Sequence, residues 1–243
     1  MKIFLASFSL WLYLLSISHA IDIPKLTSPV IDQANIFSNA DQKKLRSILY
    51  SVQRNNGPQI QVLTVKSLQG LTIEDFSIEV VDKWQLGDKE RDDGLLLLVS
   101  TGNKKVRIEV GDGLEGDMTD YRSGEIIDEM IKSFKKGQMD VGIFVGVSEI
   151  LSTLGVDINK LKINQFISNK KSRYKRTRKK SSIFDMIAGF IFVLFFIFGK
   201  SRRSRVGFIS GGRSYSRGGF SSSGSSWGGG GGGFSGGGSS GSW

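Results

Sequence analysis

Apolar residues recur along residues 30–154 with two periods, one helical and one extended. Leu45, Ile48, Leu49 and Val52 stand three and four apart, as on one face of a helix. Ser38-Asn39-Ala40-Asp41 reads as a capping box opening that helix, and Asn56-Gly57-Pro58 closes it. Gln59 to Val65 (QIQVLTV) is strand-like. Thr72-Ile73-Glu74-Asp75 caps a second helix with Phe76, Val80 and Trp84 on one face. Gly94 to Ser100 (GLLLLVS) is apolar at nearly every position, as a strand covered on both faces requires. Thr101 to Lys104 turns the chain, and Lys105 to Val110 (KVRIEV) alternates like a half-covered strand. Two more helices follow, one carrying Ile126, Ile127, Met130, Ile131 and Phe134, the other Phe144, Val147, Leu151 and Leu154. Helices that bracket strands in this order predict an α/β fold, a three-layer α/β/α sandwich around a small mixed sheet, over residues 30–157. The prolines of residues 21–29 predict an extended leader before it.

The ends of the chain follow other patterns. Lys2, the apolar stretch Ile3 to Ile17 and Ser18-His19-Ala20 read as a signal peptide over residues 1–20. A second apolar run predicts a transmembrane helix over residues 183–199, at the short end of the about 17–25 residues that a span needs. Residues 158–182 form a basic linker whose last part, with eight Lys/Arg, suits either an anionic lipid surface or a solvated coil. Only four Lys/Arg follow the span closely, so the positive-inside rule and the signal peptide give opposite orientations. The signal decides, because a long translocated domain is little affected by charge bias. That places the domain outside the cytoplasm, periplasmic or extracellular, and the C-terminal tail in the cytoplasm. The tail, residues 200–243, is of low complexity, with 16 Gly and 12 Ser in its last 37 residues. Such a composition predicts disorder. Its spaced aromatics allow a second reading, a tail that adheres to itself or to a partner.

Charge separates these regions. The net charge of +10 is carried by the C-terminal third, while residues 21–168 hold 18 Lys/Arg against 22 Asp/Glu. No nucleic-acid partner is therefore expected of the domain. There is no cysteine, and the single histidine lies in the leader. Thiolate sites, Ser-His-Asp and Cys-His catalysis and the usual zinc sites are excluded from the mature chain. Chemistry is left to carboxylates, Lys/Arg, hydroxyls or an oxygen-ligated metal.

Gly111 to Gly116 reads GDGLEG, formally the glycine pattern of a dinucleotide turn. Asp112, Glu115, Asp117 and Asp120 crowd it with negative charge, which repels a pyrophosphate. The stretch suits either a glycine-shaped turn with solvent-facing acids or a hard-cation site. A second acidic loop, Asp88 to Gly94, begins like an EF-hand but has Asp93 at the glycine position and Val99 at the final glutamate. It delivers Asp92 and Asp93 to the start of a strand. Asp32 lies before the first helix. The expected metal residues are Asp32, Asp92, Asp93, Glu115 and Asp120, with Ca²⁺ or Mg²⁺ as the ion if their loops meet at one edge of the sheet.

Val30-Ile31-Asp32, Trp84-Gln85-Leu86-Gly87, Asp92-Asp93-Gly94-Leu95-Leu96-Leu97-Leu98-Val99, Arg107-Ile108-Glu109-Val110-Gly111, Gly113-Leu114-Glu115-Gly116 and Asp120, in this order, resemble the TPM domain family. The layout of signal, domain, span and Gly/Ser/aromatic tail ending in Trp resembles its bacterial YgcG-like branch. The resemblance implies an α/β/α sandwich outside the cytoplasm and, in some members, divalent-cation binding, often of Ca²⁺. It implies two functions: an accessory to membrane or envelope proteins, or a metal-dependent acid phosphatase such as is linked to plant relatives. Asp93 stands where Asn is common in the family, and Asp112 where an aromatic is common.

Overall fold

The computed structural model of the chain describes residues 21–176, 191 and 227–243. The signal peptide expected at 1–20 lies outside them, as do nearly all of the expected span at 183–199 and residues 200–226 of the tail. Among the described residues, no helix is long and apolar enough to cross a membrane.

Five strands, β1 (Val30–Asp32), β2 (Gln59–Val65), β3 (Gly94–Ser100), β4 (Lys105–Val110) and β5 (Gly237–Ser242), lie side by side in chain order. The first three are parallel, and β4 and β5 are each antiparallel to the strand before. The parallel pairs need crossovers, supplied by helices α1 (Asn39–Arg54) and α2 (Ile73–Trp84), whereas β3 and β4 are joined by a tight turn. Helices α3 (Asp120–Phe134) and α4 (Met139–Thr153) follow β4. The N-caps form: the Ser38 and Thr72 hydroxyls accept hydrogen bonds from the Asp41 and Asp75 amides and donate to the carboxylates of the same residues.

The alternation of β3 divides the core. Leu95, Leu97 and Val99 pack with Val106, Ile108 and Val110 of β4 against α1, α3 and α4. Leu96 and Leu98 face the other way, with Leu63 and Val65, onto Phe76, Val80, Val81 and Trp84 of α2. The three layers follow, because a strand apolar on both sides is stable only between two covering layers. The 21–29 leader closes the second layer: Ile23 is buried, and the Trp84 indole donates to the Pro24 carbonyl.

Three expectations need correction. Part of the tail is ordered: residues 237–242 are a sheet strand, not disordered chain. Strand β4 is covered on both faces, because Arg107 and Glu109 are buried beneath α2 and the tail. The basic linker contains a helix, residues 163–176, docked on the domain. Lys170 is buried there and bridges Asp41 of α1 and Asp140 of α4, while the Tyr174 hydroxyl donates to Asp140. Burial pushes the Asp41 carboxyl up, but the hydrogen bonds from Lys170 and Ser38 and the Lys170 charge together hold it below its usual range. The charge pattern alone suited a lipid surface or a solvated coil, since the two carboxylate partners of Lys170, Asp41 and Asp140, are distant in sequence.

Candidate functional site

The expected acids fall into two groups at opposite ends of the sheet. Asp32 pairs in register with Thr64, and Thr64 with Val99 near the end of β3. Asp92 and Asp93 precede Gly94 at the start of β3. Five residues separate the two levels, about 17 Å at the strand rise. Asp32 therefore does not share an ion with the others, which corrects the expected convergence. Its carboxylate is occupied locally, accepting from the Ile36 and Phe37 amides (3.0 and 2.9 Å) and the Thr64 hydroxyl. Asp93 is likewise occupied, by Arg91 at 3.0 Å and by the Asp88 amide.

Asp92, Asp112, Glu115 and Asp120 do lie along one edge, because β4 returns antiparallel and places the GDGLEG turn beside the Asp92 loop. A Cβ at Gly111 would stand 2.4 Å from the Asp92 carbonyl oxygen, so the glycine there is required by close packing against the loop. The turn continues as a short 3-10 helix, Asp112–Leu114. The next helix, α3, starts later and is capped by Thr119, so these glycines form no phosphate-cradling helix start.

The four carboxylates are met by the tail. The Gly233 amide donates to Asp92 at 2.7 Å, the Ser235 amide to Asp112 at 2.8 Å and its hydroxyl to Glu115 at 3.1 Å, and the Gly238 amide to Asp120 at 2.7 Å. None of these four acids makes an ion pair among the described residues. Anionic acceptors with backbone N–H donors form charge-assisted bonds, stronger than neutral ones.

The rest of the segment is fixed at both ends. Trp227 is buried, donates from its indole to Gln61 and stands edge-on to Tyr50. Residues 228–232 then cross the start of the parallel strands, with the Gly230 and Gly231 amides donating to the Gly87 and Gln85 carbonyls. A Cβ at Gly229 would lie 1.9 Å from the Trp84 carbonyl oxygen, so no other residue fits. From Gly237 the chain pairs with β4. Gly238 combines φ +120° with a Cβ position 2.0 Å from the Ile108 oxygen. Trp243 packs on Phe134, with ring centroids 4.6 Å apart.

Below this strand lies a buried polar group that the sequence pattern did not single out as a unit. The Arg107 guanidinium donates to Glu109, to Ser77 of α2 and to the Gly236 carbonyl. Ser77 also donates to Glu109, whose Oε1 has no partner among the described residues. Glu74, one turn earlier on α2, accepts from the Ser240 hydroxyl. That bond, working against partial burial, holds the Glu74 carboxyl below its usual range. Buried Arg and Glu two apart on a strand are compatible with either an ion pair or a phosphate clamp. Here the guanidinium is committed to Glu109, Ser77 and the tail.

A resident metal does not fit this arrangement. Among the described residues, no three Asp or Glu side chains converge as a metal site would need. Two depressions of about 510 and 440 Å³ include none of the five expected acids in their walls, whereas a smaller one of about 150 Å³ is lined by Asp93 with Asp88, Arg91 and Gly228 to Gly230 of the tail.

Residues 30–153 match the family described as the TPM domain. The solution NMR structure of the N-terminal domain of a P. gingivalis protein is 29% identical and covers 54% of this chain and 87% of its own, with a TM-score of 0.49. No curated protein matches the chain.

Proposed function

The chain belongs to the TPM domain family, and from that premise we propose that this member is a binding module rather than a hydrolase. Its acidic edge holds extended backbone. The observation that carries the reading is the set of hydrogen bonds from residues 233–238 to Asp92, Asp112, Glu115 and Asp120. Carboxylates engaged by main-chain donors suit recognition of a strand. A hydrolase needs a nucleophile and a substrate cavity, and with no His or Cys after residue 20 the nucleophile would be a metal-bound water or a carboxylate.

The proposal extends to setting. The domain works outside the cytoplasm, beside a membrane reached through the apolar run at 183–199, as an accessory to other membrane or envelope proteins. On this reading tail and domain lie on the same side of that membrane, which the hydrogen bonds between them support. Assignment to the YgcG-like branch belongs to this proposal, supported by the tail's composition and terminal Trp. Binding of Ca²⁺ or Mg²⁺, and with it phosphatase activity, would require the tail to leave and the acids to regroup.

The test is a chain ending at residue 226 with a synthetic peptide of residues 227–243. Saturable binding, lost when the peptide carries Gly238→Val, supports the module. Phosphate release from an aryl phosphate that depends on Ca²⁺, Mg²⁺ or Mn²⁺ and disappears in Asp92→Asn would replace it with the hydrolase.

A further inference from the structure

We infer that the edge formed by β4 and the acidic loops is an interface between copies of this chain, in which residues 227–243 of one molecule seat on the domain of a second. This rests on the binding-module reading and names its partner. The segment and its seat are self-contained. Trp227 at one end is held by Gln61 and Tyr50, Trp243 at the other by Phe134, and the strand between them pairs with β4. All of these partners lie within the 30–153 domain. Residues 177–226 connect seat and segment, and fifty residues extend to at most about 170 Å. That reach covers a neighbour's edge as well as the molecule's own.

Exchange keeps every contact. The hydrogen bonds and the packing are the same whether the segment comes from its own chain or from another, so only the connector's entropy separates the two forms. Tethering through those fifty residues holds a chain's own segment at an effective concentration of up to about millimolar. Dilute protein therefore closes on itself, and exchange takes over as the local concentration approaches that value. An empty seat also leaves β4 as an unpaired edge strand, which favours recapture of any free segment. The occupant is narrowly specified. A side chain at the Gly229, Gly238 or Gly241 position would meet Trp84, Ile108 or Ile127 at 2.6 Å or less. A second copy supplies glycine at all three.

The register provides the test. Lys105 faces Ser242, and the Trp243 amide donates to Lys104, so the 105/242 pair is the non-hydrogen-bonded kind with side chains close together. The chain has no cysteine of its own. Two differently tagged full-length chains, one with Lys105→Cys and one with Ser242→Cys, are mixed at increasing concentration up to millimolar and oxidised. The expected product is a mixed disulfide of twice the chain mass. It grows with concentration and is lost when the Ser242→Cys copy also carries Gly238→Val. A single chain with both substitutions closes its own disulfide in dilute solution. If that chain closes but the mixture gives no joint product at any concentration, exchange is overturned while the binding module stands. If neither forms, the seat itself is wrong and both readings fall.

Discussion

Trp227→Ala tests how the tail is held. The indole is almost fully buried, meets Tyr50 edge-on at 5.0 Å and donates to Gln61 at 2.8 Å. Truncating a buried aromatic of this kind costs about 3 kcal/mol. Against that, ordering 17 residues costs of the order of 1–2 kcal/mol each. The net stability of docking is thus a small difference, and losing one anchor lowers the docked population relative to the open one about 100-fold. Strand geometry says where to read this. Cross-strand bonds alternate, and Trp243 donates to Lys104, so the amides of Val106, Ile108 and Val110 point to β5 while those of Arg107 and Glu109 point to β3. Residue-resolved hydrogen exchange should show protection falling about 100-fold at 106, 108 and 110 and holding at 107 and 109. Equal loss at all five would mean that the substitution loosens the whole sheet. No change at 106, 108 and 110 would mean that Trp227 does not hold the tail.

Other expectations follow from the same contacts. Gly241→Val forces a side chain onto Ile127 and Ile131 and should release the same three amides while leaving the melting of the domain within about 0.5 kcal/mol, checked by exchange and thermal unfolding together. Glu74 is held below its ordinary 4.5 by Ser240, so its contribution to docking is complete above about pH 4.5 and is lost as pH falls through the lowered value; Glu74→Gln should flatten that acid limb in a titration of Trp fluorescence. Lys170→Ala leaves Asp41 and Asp140 without their shared cation and should destabilise the docked 163–176 helix by about 3–5 kcal/mol, seen as selective proteolysis near residue 170. Burial first and Asp140 second push Tyr174 up to about 12, so its contribution is complete below pH 10.0 and is lost as pH rises from there to about 12; the phenolate absorbance should titrate late in the intact chain and near the ordinary value once the helix is released.

The layers were legible because they are local. Helical spacing at Leu45 to Val52, the run GLLLLVS and the N-caps Ser38 and Thr72 each specify an element within a few residues, and the structure contains all of them. The acidic edge was legible in part. Asp92, Glu115 and Asp120 share it, but Asp32 lies at the other end of the sheet because a parallel crossover puts the exit of β1 far from the entrance of β3. The fifth strand was hidden for a different reason. Composition judges a segment by the apolar surface it can bury by itself, and GGGGGG buries almost none. Here the glycines are complementary to a surface formed elsewhere in the chain. Gly229 and Gly238 fit against the backbone at Trp84 and Ile108, and Trp227 and Trp243 supply the burial. Tryptophans bracketing a long glycine run were the available sign of docking.

Docking of the tail on the acidic edge is tested most directly by cross-strand proton contacts in the full-length chain. The register predicts close Hα–Hα pairs between Arg107 and Ser240 and between Glu109 and Gly238. Their observation, with the Gly233 and Gly238 amides protected from exchange, is the result expected here. Tail resonances at random-coil positions with no contact to β4 would contradict it.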